Sequence, residues 1–315
     1  NYNVFGMIRK SSTGNTKNIN HLISNKKIFD KKFFLVNGDL LDHISVRKII
    51  KDIRPNEIYN FADQDHVRWS FDIPIYSYNV TVNSVLTILE NIRDIDKKIK
   101  YFQPISSNIF GNSKSKKLNE TTNVSPTSIY ALAKSNVFYL CKMYTQIYGL
   151  KIYGAIFFNH ESPRRGSDYV TQKIIETACK IFRKKEKFIE LGDISVKIDW
   201  GYAKDYVYYA WRILQLPNPD FFIIGTGKNN SVKTFLQKTF EKLGLNYKDH
   251  LKINKKLFRP AKTVNLIADT KKAKKTFGYK VHTDLDKLIE IMIESALKRI
   301  KWEIYHSFYA LLTRN

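Results

Sequence analysis

The chain is predicted to be an α/β protein, a doubly wound parallel sheet followed by a smaller mixed C-terminal lobe. Three observations lead there. Short apolar runs rich in Ile, Val and Phe alternate with longer segments of helical character, and parallel strands joined by right-handed crossovers are the simplest topology for such a pattern. Asp39, Asp65 and Ser106 fall where predicted strands end, the edge at which open α/β sheets receive ligands. Finally, 315 residues with 43% apolar and 14% aromatic side chains are enough to bury a sizeable core, as one large unit or as two lobes.

The elements follow in order. Asn3-Val4-Phe5-Gly6-Met7-Ile8-Arg9 reads as a strand beginning too close to residue 1 for a glycine-rich turn to precede it within the chain. Lys32-Phe33-Phe34-Leu35-Val36 is the second strand and ends in Gly38-Asp39-Leu40. A helix over 43–53 is stopped by Arg54-Pro55, since proline lacks the N–H a helix needs and disfavours helical geometry just before it. Glu57-Ile58-Tyr59-Asn60-Phe61-Ala62 is a third strand, opening into the polar loop Asp63-Gln64-Asp65-His66-Val67-Arg68. A long helix is expected over about 74–94, then a strand over 99–105 that delivers Ser106 and Ser107. Beyond the helix containing Tyr130, the segment 151–158 reads as a strand, 159–166 as a polar loop, 170–184 as a helix, 188–191 as a short strand, and Trp200 to Val207 as the opening of a further helix. Gly225-Thr226-Gly227 is read as a plain turn, because a dinucleotide loop requires a third glycine and a following helix.

Tyr130 and Lys134 stand at i and i+4, so on a helix the phenol and the ammonium project from one face. A cation beside a tyrosine favours the phenolate and lowers its titration point from about 10, which predicts a base that works near neutrality. Ser106, at a strand's carboxyl end, would share a substrate oxygen with it. This is equipment for removing a proton from a sugar alcohol while a hydride leaves the same carbon.

Composition narrows the partners. A net charge of +24 suggests nucleic acid or an anionic membrane, but the lysines are spread along the whole chain, as in Lys26-Lys27, Lys184-Lys185 and Lys271-Lys272. A solvated surface and a compact anionic ligand such as a nucleotide diphosphate fit that distribution better, so neither nucleic acid nor membrane is expected as a partner. There is no apolar run of the roughly 18 residues a spanning helix needs and no leader pattern, and a cytoplasmic location is expected. Cys141 and Cys179 have neither metal-ligand nor disulfide-framework spacing.

Several stretches together resemble the extended short-chain dehydrogenase/reductase superfamily and, within it, the GDP-mannose 4,6-dehydratase family. They are Ile8-Arg9-Lys10-Ser11-Ser12, Gly38-Asp39-Leu40, Glu57-Ile58-Tyr59-Asn60 with Gln64-x-His66-Val67, the Tyr130/Lys134 pair, Asn159-His160-Glu161-Ser162-Pro163-Arg164-Arg165-Gly166, Asp199-Trp200-Gly201-x-Ala203-Lys204-Asp205-Tyr206-Val207, and Arg259-Pro260. The resemblance implies a Rossmann-like NADP-binding domain over 1–160, with elements returning near 188–215, a mainly substrate-binding lobe over 161–300 and a tail over 301–315. It implies oxidation at sugar C4, loss of water across C5–C6 and return of the hydride to C6. Tyr130 would be the C4 base, Lys134 its tuning cation and ribose ligand, and Ser106 the counterpart of the family's catalytic threonine. The cofactor would lie on Arg9, Ser11, Asp39, Leu40, Phe61 and Ala62. Arg9 suits an adenosine 2′-phosphate and favours NADP, with NAD the alternative. Asp65, Asn159, Lys173 and Arg259 would meet a GDP-linked sugar, and relatives assemble as homodimers or homotetramers, with the segment 9–15 resembling one used between subunits.

Three departures matter. Where the family carries a glutamate two positions after its threonine, this chain has Asn108; a neutral amide cannot take the C5 proton. Two other outcomes therefore stand beside dehydration, namely C4 redox or epimerisation, and an inactive paralogue that binds a nucleotide sugar or an active subunit. Asp63 or Asp65, in a loop where the family has small residues, could offer a replacement carboxylate. Next, Ile198 stands where the family places an arginine on the diphosphate, and Lys228 and Lys262 where it is acidic. Lastly, the family's opening strand and glycine-rich turn, whose amides meet the pyrophosphate, have no counterpart in the sequence. Whether as a fragment or as a protein lacking a cofactor half-site, the chain is expected to bind a dinucleotide weakly.

Overall fold

The computed structural model describes the backbone of residues 2–115, 117–258 and 266–312, and side chains as far as residue 300. The first half runs β1 (Val4–Ile8), α1 (Asn20–Ile23), β2 (Phe33–Asn37), α2 (His43–Ile53), β3 (Glu57–Tyr59), α3 (Trp69–Asp72), α4 (Pro74–Tyr78), α5 (Ser84–Ile95), β4 (Lys100–Ser106), α6 (Ile129–Tyr148) and β5 (Lys151–Phe157). The second runs β6 (Asn159–Glu161), α7 (Val170–Phe182), β7 (Ile189–Leu191), β8 (Lys197–Ile198), β9 (Trp200–Tyr202), α8 (Ala203–Leu214), β10 (Phe221–Ile224), β11 (Asn230–Ser231), α9 (Val232–Lys242), β12 (Leu251–Ile253), α10 (Lys271–Phe277) and α11 (Leu285–Leu312). Two compact units form, one from Asn1–Ile109, Val124–Ala155 and Ile213–Phe221, the other from Phe110–Asn123, Ile156–Arg212 and Phe222–Asn315.

In the first unit β1 pairs parallel with β2 from Val4↔Phe33 to Ile8↔Asn37, and β3 pairs parallel with β4 from Glu57↔Lys100 to Tyr59↔Phe102. The larger sheet has the order β10-β5-β4-β3. Its inner strands read as continuous apolar runs because parallel strands are covered on both faces; Tyr101, Phe102 and Ile105 of β4 are almost inaccessible. Helix ends follow local chemistry. Asp42 caps α2 by accepting from the Ile44 N–H at 3.2 Å, and Arg54, just before Pro55, turns left-handed at φ 47° to end it. Ser128 caps α6 through the Ala131 N–H at 3.1 Å, and Gly149 at φ +69° closes it.

The expected long helix over 74–94 is present but interrupted: α4 begins on Pro74 and passes through a π-helical stretch, Asn79–Asn83, into α5. Within that stretch the Thr81 hydroxyl shares its one proton between the Ser77 carbonyl at 2.8 Å and the Asp63 carboxylate, and Ser84, the first residue of α5, donates to the Val80 carbonyl at 2.6 Å, both competing for the helix's own acceptors. The third strand is shorter than expected, ending at Tyr59.

In the second unit α7, α9 and α11 pack through Ile174, Ile175, Phe235, Leu236, Phe240, Leu288, Ile289 and Met292, with Trp200 on their cluster. Each such side chain contributes about 1.5–3 kcal/mol when fully buried. Two expectations are corrected here. The stretch 159–166 is not all loop, since β6 pairs parallel with β9 through Asn159↔Trp200, His160↔Gly201 and Glu161↔Tyr202. Trp200 therefore opens a strand, and the helix starts at Ala203. Glycine at 201 is required by close approach: a Cβ there would lie 2.5 Å from the Tyr206 ring.

Candidate active site

The first unit gathers its chemistry where β4 ends against α6. Tyr130 and Lys134 are both buried, at 8% and 6% exposure, and the Lys134 Nζ lies 5.9 Å from the centre of the Tyr130 ring. Ser106 closes β4 and accepts two bonds from Asn108, from the amide Nδ2 at 3.1 Å and the backbone N–H at 3.3 Å. A hydroxyl has two acceptor positions and one proton, so Asn108 leaves the Ser106 O–H free to donate, and its hydrogen bond lowers the Tyr130 pKa.

The expectation of a phenol poised near neutrality is not met in the folded chain. Burial pushes Tyr130 above the ordinary tyrosine value; Lys134 and Ser106 pull it down, and Asp63 and Asp65 push it further up. Lys134 itself would be depressed by burial, but Asp63, Tyr130 and Asp65 more than offset that and hold it above a free lysine. Asp63 is the residue the i, i+4 argument could not supply. Its carboxylate forms a buried ion pair with the Lys134 ammonium while accepting from the Thr81 hydroxyl and from the Gln64 N–H. Only its place in the loop that follows β3, neighbour of the strand that carries Ser106, could have signalled this.

The expected cofactor residues fall into two groups. Arg9 and Ser11 line one cleft of about 420 Å³ together with Ile8, Lys10, Ser12, Asn15 and Asn37. Two cations and no carboxylate face it, which fits a phosphate, and the Asn15 amide donates to the Arg9 carbonyl and shapes the turn. Asp39 instead accepts from the Leu41 N–H at 2.9 Å, organising its own turn, and Leu40 is buried at 8% exposure. Phe61, half-exposed, stacks near Phe102 at 5.9 Å and 29°, with Ala62 exposed beside it. Asp65 is exposed in the loop that carries Asp63. His66 stacks on Trp69 at 4.9 Å and accepts its N–H at 3.4 Å, a bracing role.

Of the substrate residues in the second unit, Asn159 is exposed on β6 and Lys173 lies half-buried in the first turn of α7; Arg259, like Lys262, lies outside the described residues. Much of the 159–166 run is scaffold. Glu161 is buried, accepts from the Thr171 hydroxyl at 2.6 Å, and meets the Arg165 Nε at 3.4 Å; Arg165 covers the Tyr169 ring at 3.4 Å. Asp199 is a second buried brace, accepting from the Thr226 N–H and hydroxyl at 2.8 and 2.5 Å and from the Gly227 N–H at 2.8 Å. The turn read at 225–227 is thus held by a carboxylate. Ile198 packs against the apolar cluster.

Among the described residues no group of His, Cys, Asp or Glu could hold a metal ion, and no helix is long and apolar enough to cross a membrane. Cys141 and Cys179 are both buried; burial raises both thiols, Cys179 to about 12.

A family model described as GDP-mannose 4,6 dehydratase matches residues 1–292. GDP-mannose 4,6 dehydratase 1 of Arabidopsis thaliana is 39% identical over 96% of this chain and 85% of that protein, and the GDP-mannose 4,6 dehydratase of Homo sapiens is 32% identical over 95% and 86%. Among solved structures, a dTDP-glucose 4,6-dehydratase of Bacillus anthracis in complex with NAD superposes with a TM-score of 0.81 at 18% identity, covering 96% of this chain and 90% of that one. RMD of Pseudomonas aeruginosa complexed with NADPH gives 0.78 at 16%, covering 93% and 99%. At such identities the likeness is one of fold, and it confirms the doubly wound α/β class.

Proposed function

The chain belongs to the GDP-mannose 4,6-dehydratase family, and from that premise we propose that it is an NADP-dependent nucleotide-sugar enzyme that opens its reaction at C4 of a GDP-linked sugar and continues, in the dehydratase manner, to loss of water. The meeting of Ser106, Tyr130 and Lys134 in one buried corner carries the proposal. The dinucleotide supplies, when bound, the reversible hydride acceptor. Arg9 and Ser11 are assigned to its 2′-phosphate, and Lys134 with Tyr130 to its nicotinamide ribose. The Tyr130 phenol oxygen holds and takes the C4 hydroxyl proton. Ser106, its acceptor positions filled by Asn108, donates to the oxygen at which charge develops. Burial keeps water from this corner and strengthens each of these contacts. By family likeness Asn159, Lys173 and Arg259 are assigned to the sugar nucleotide's diphosphate.

One observation favours a second reading. Asn108 is an amide bonded to Ser106, with no basic pair for the C5 proton; under this reading the reaction stops at a 4-keto or epimeric product. We also assign a dimer. Leu132, Tyr139, Met143 and Ile147 form an exposed apolar stripe along α6, the last two of these at 41% and 64% exposure, and a second copy would cover it.

Incubation with GDP-mannose and NADP, followed by mass spectrometry of the sugar nucleotide, tests the proposal. Loss of one water supports dehydration, a 4-keto or epimeric product supports the second reading, and unchanged GDP-mannose despite measurable binding overturns both.

A further inference from the structure

We propose that Asp63 is a positioning residue that clamps the Lys134 ammonium and sets how much of its positive field reaches the Tyr130 phenol. Four segments converge on this contact. The loop after β3 supplies Asp63; the π-helical stretch supplies the Thr81 hydroxyl that orients it; α6 supplies Lys134; and β4 supplies the Pro104 carbonyl, which accepts from Nζ at 3.4 Å. The side chains of Lys134 and Asp63 are 7% and 8% exposed, so solvent does little to screen the pair. One carboxylate oxygen pairs with Lys134 and the other accepts from the Thr81 hydroxyl and the Gln64 N–H.

The charged and titratable groups facing this corner are Asp63, Asp65, Lys134 and Tyr130, with Tyr101 and Cys141 behind them. Of these, only Lys134 draws the phenol toward ionisation, and Asp63 both neutralises that cation and opposes it directly. The π-helical turn matters because it is what aims Thr81 at the carboxylate. In this chain the usual tyrosine-lysine pair has become a three-membered array whose third member restrains the first.

This inference rests on Tyr130 being the proton acceptor of the proposed reaction, but its test needs no turnover. The full chain is labelled with 13C at tyrosine Cζ, and the Tyr130 resonance is identified by its loss in Tyr130→Phe. In Asp63→Asn the Tyr130 titration midpoint falls by about one pH unit or more; a midpoint that stays or rises overturns the proposal. Repeating the substitution in a Lys134→Met chain produces a smaller fall, because only the direct repulsion between the Asp63 carboxylate and the phenolate is then removed; an equal fall shows that Asp63 does not act through Lys134. If Asp63→Asn does not fold, the unaltered protein decides. A clamped ammonium gives a slowly exchanging lysine 15N–H signal that Lys134→Met removes, and absence of that signal overturns the clamp. A shifted Tyr130 in a chain that makes no product keeps this inference and removes the dehydratase reading.

Discussion

Replacing Asp199 by alanine is the most direct test of how the second unit is built. The carboxylate is 1% exposed and accepts from Thr226 N at 2.8 Å, Thr226 Oγ1 at 2.5 Å, Gly227 N at 2.8 Å and Ala268 N at 3.4 Å. Burial raises its pKa, and the Thr226, Gly227 and Ala268 donors pull it back. In Asp199→Ala the two short backbone N–H bonds are lost, and each buried donor left without a partner costs about 1–3 kcal/mol. Release of the buried charge returns part of that. The net expectation is about 2–5 kcal/mol, a large share of the roughly 5–15 kcal/mol that holds a domain together. Asp199→Asn, which keeps one acceptor oxygen but turns an amide toward the remaining N–H donors, should lose less. Urea unfolding followed by tryptophan fluorescence reports it, because Trp200 packs edge-on against Phe235 at 5.2 Å in the same unit. An Asp199→Ala midpoint equivalent to less than about 1 kcal/mol of loss would refute the reasoning.

Other expectations follow from single residues. Asn108→Glu supplies the missing carboxylate and should raise the yield of dehydrated product from GDP-mannose by roughly 10²-fold or more; no gain in water loss by mass spectrometry removes the argument from Asn108. Glu161 is raised above the ordinary glutamate value chiefly by burial, with Arg165 and Thr171 pulling it back. The folded state therefore holds that proton more tightly than the unfolded chain, and ionisation of Glu161 withdraws stability as pH rises from the unfolded value, about 4.3, toward the raised folded one. Glu161→Gln should accordingly gain on the unaltered protein across that rise in thermal unfolding scans, and a pH-independent difference would count against it. Changing exposed Tyr139 and Ile147 of α6 to lysine should convert a dimer to a monomer in sedimentation, whereas an unchanged mass places the subunit contact elsewhere.

Much of the fold was legible because its causes are local. Alternating apolar runs marked β1, β2, β4 and β5, Pro55 fixed the end of α2, and i, i+4 spacing put Tyr130 and Lys134 on one helix face. Errors arose where a distant partner decided the outcome. Asn159 to Glu161 carries no strand signature and is a strand only because Trp200 to Tyr202 lies beside it. The break in the long helix follows from back-bonding hydroxyls whose effect depends on what packs around them. Asp199 and Glu161, conspicuous as members of polar runs, turned out to brace their unit, since a carboxylate surrounded by donors can do in a fold what it does in a site.

The amino-acid sequence by itself determined the α/β class, the family, the presence of a serine, a tyrosine and a lysine at spacings suited to C4 chemistry, and the amide at position 108. Only the tertiary structure decided the electrostatic state of that machinery. Residue identity specifies which charges exist, but burial and the approach of Asp63 from the loop after β3 determine how strongly they act, and both depend on how segments remote along the chain are brought together.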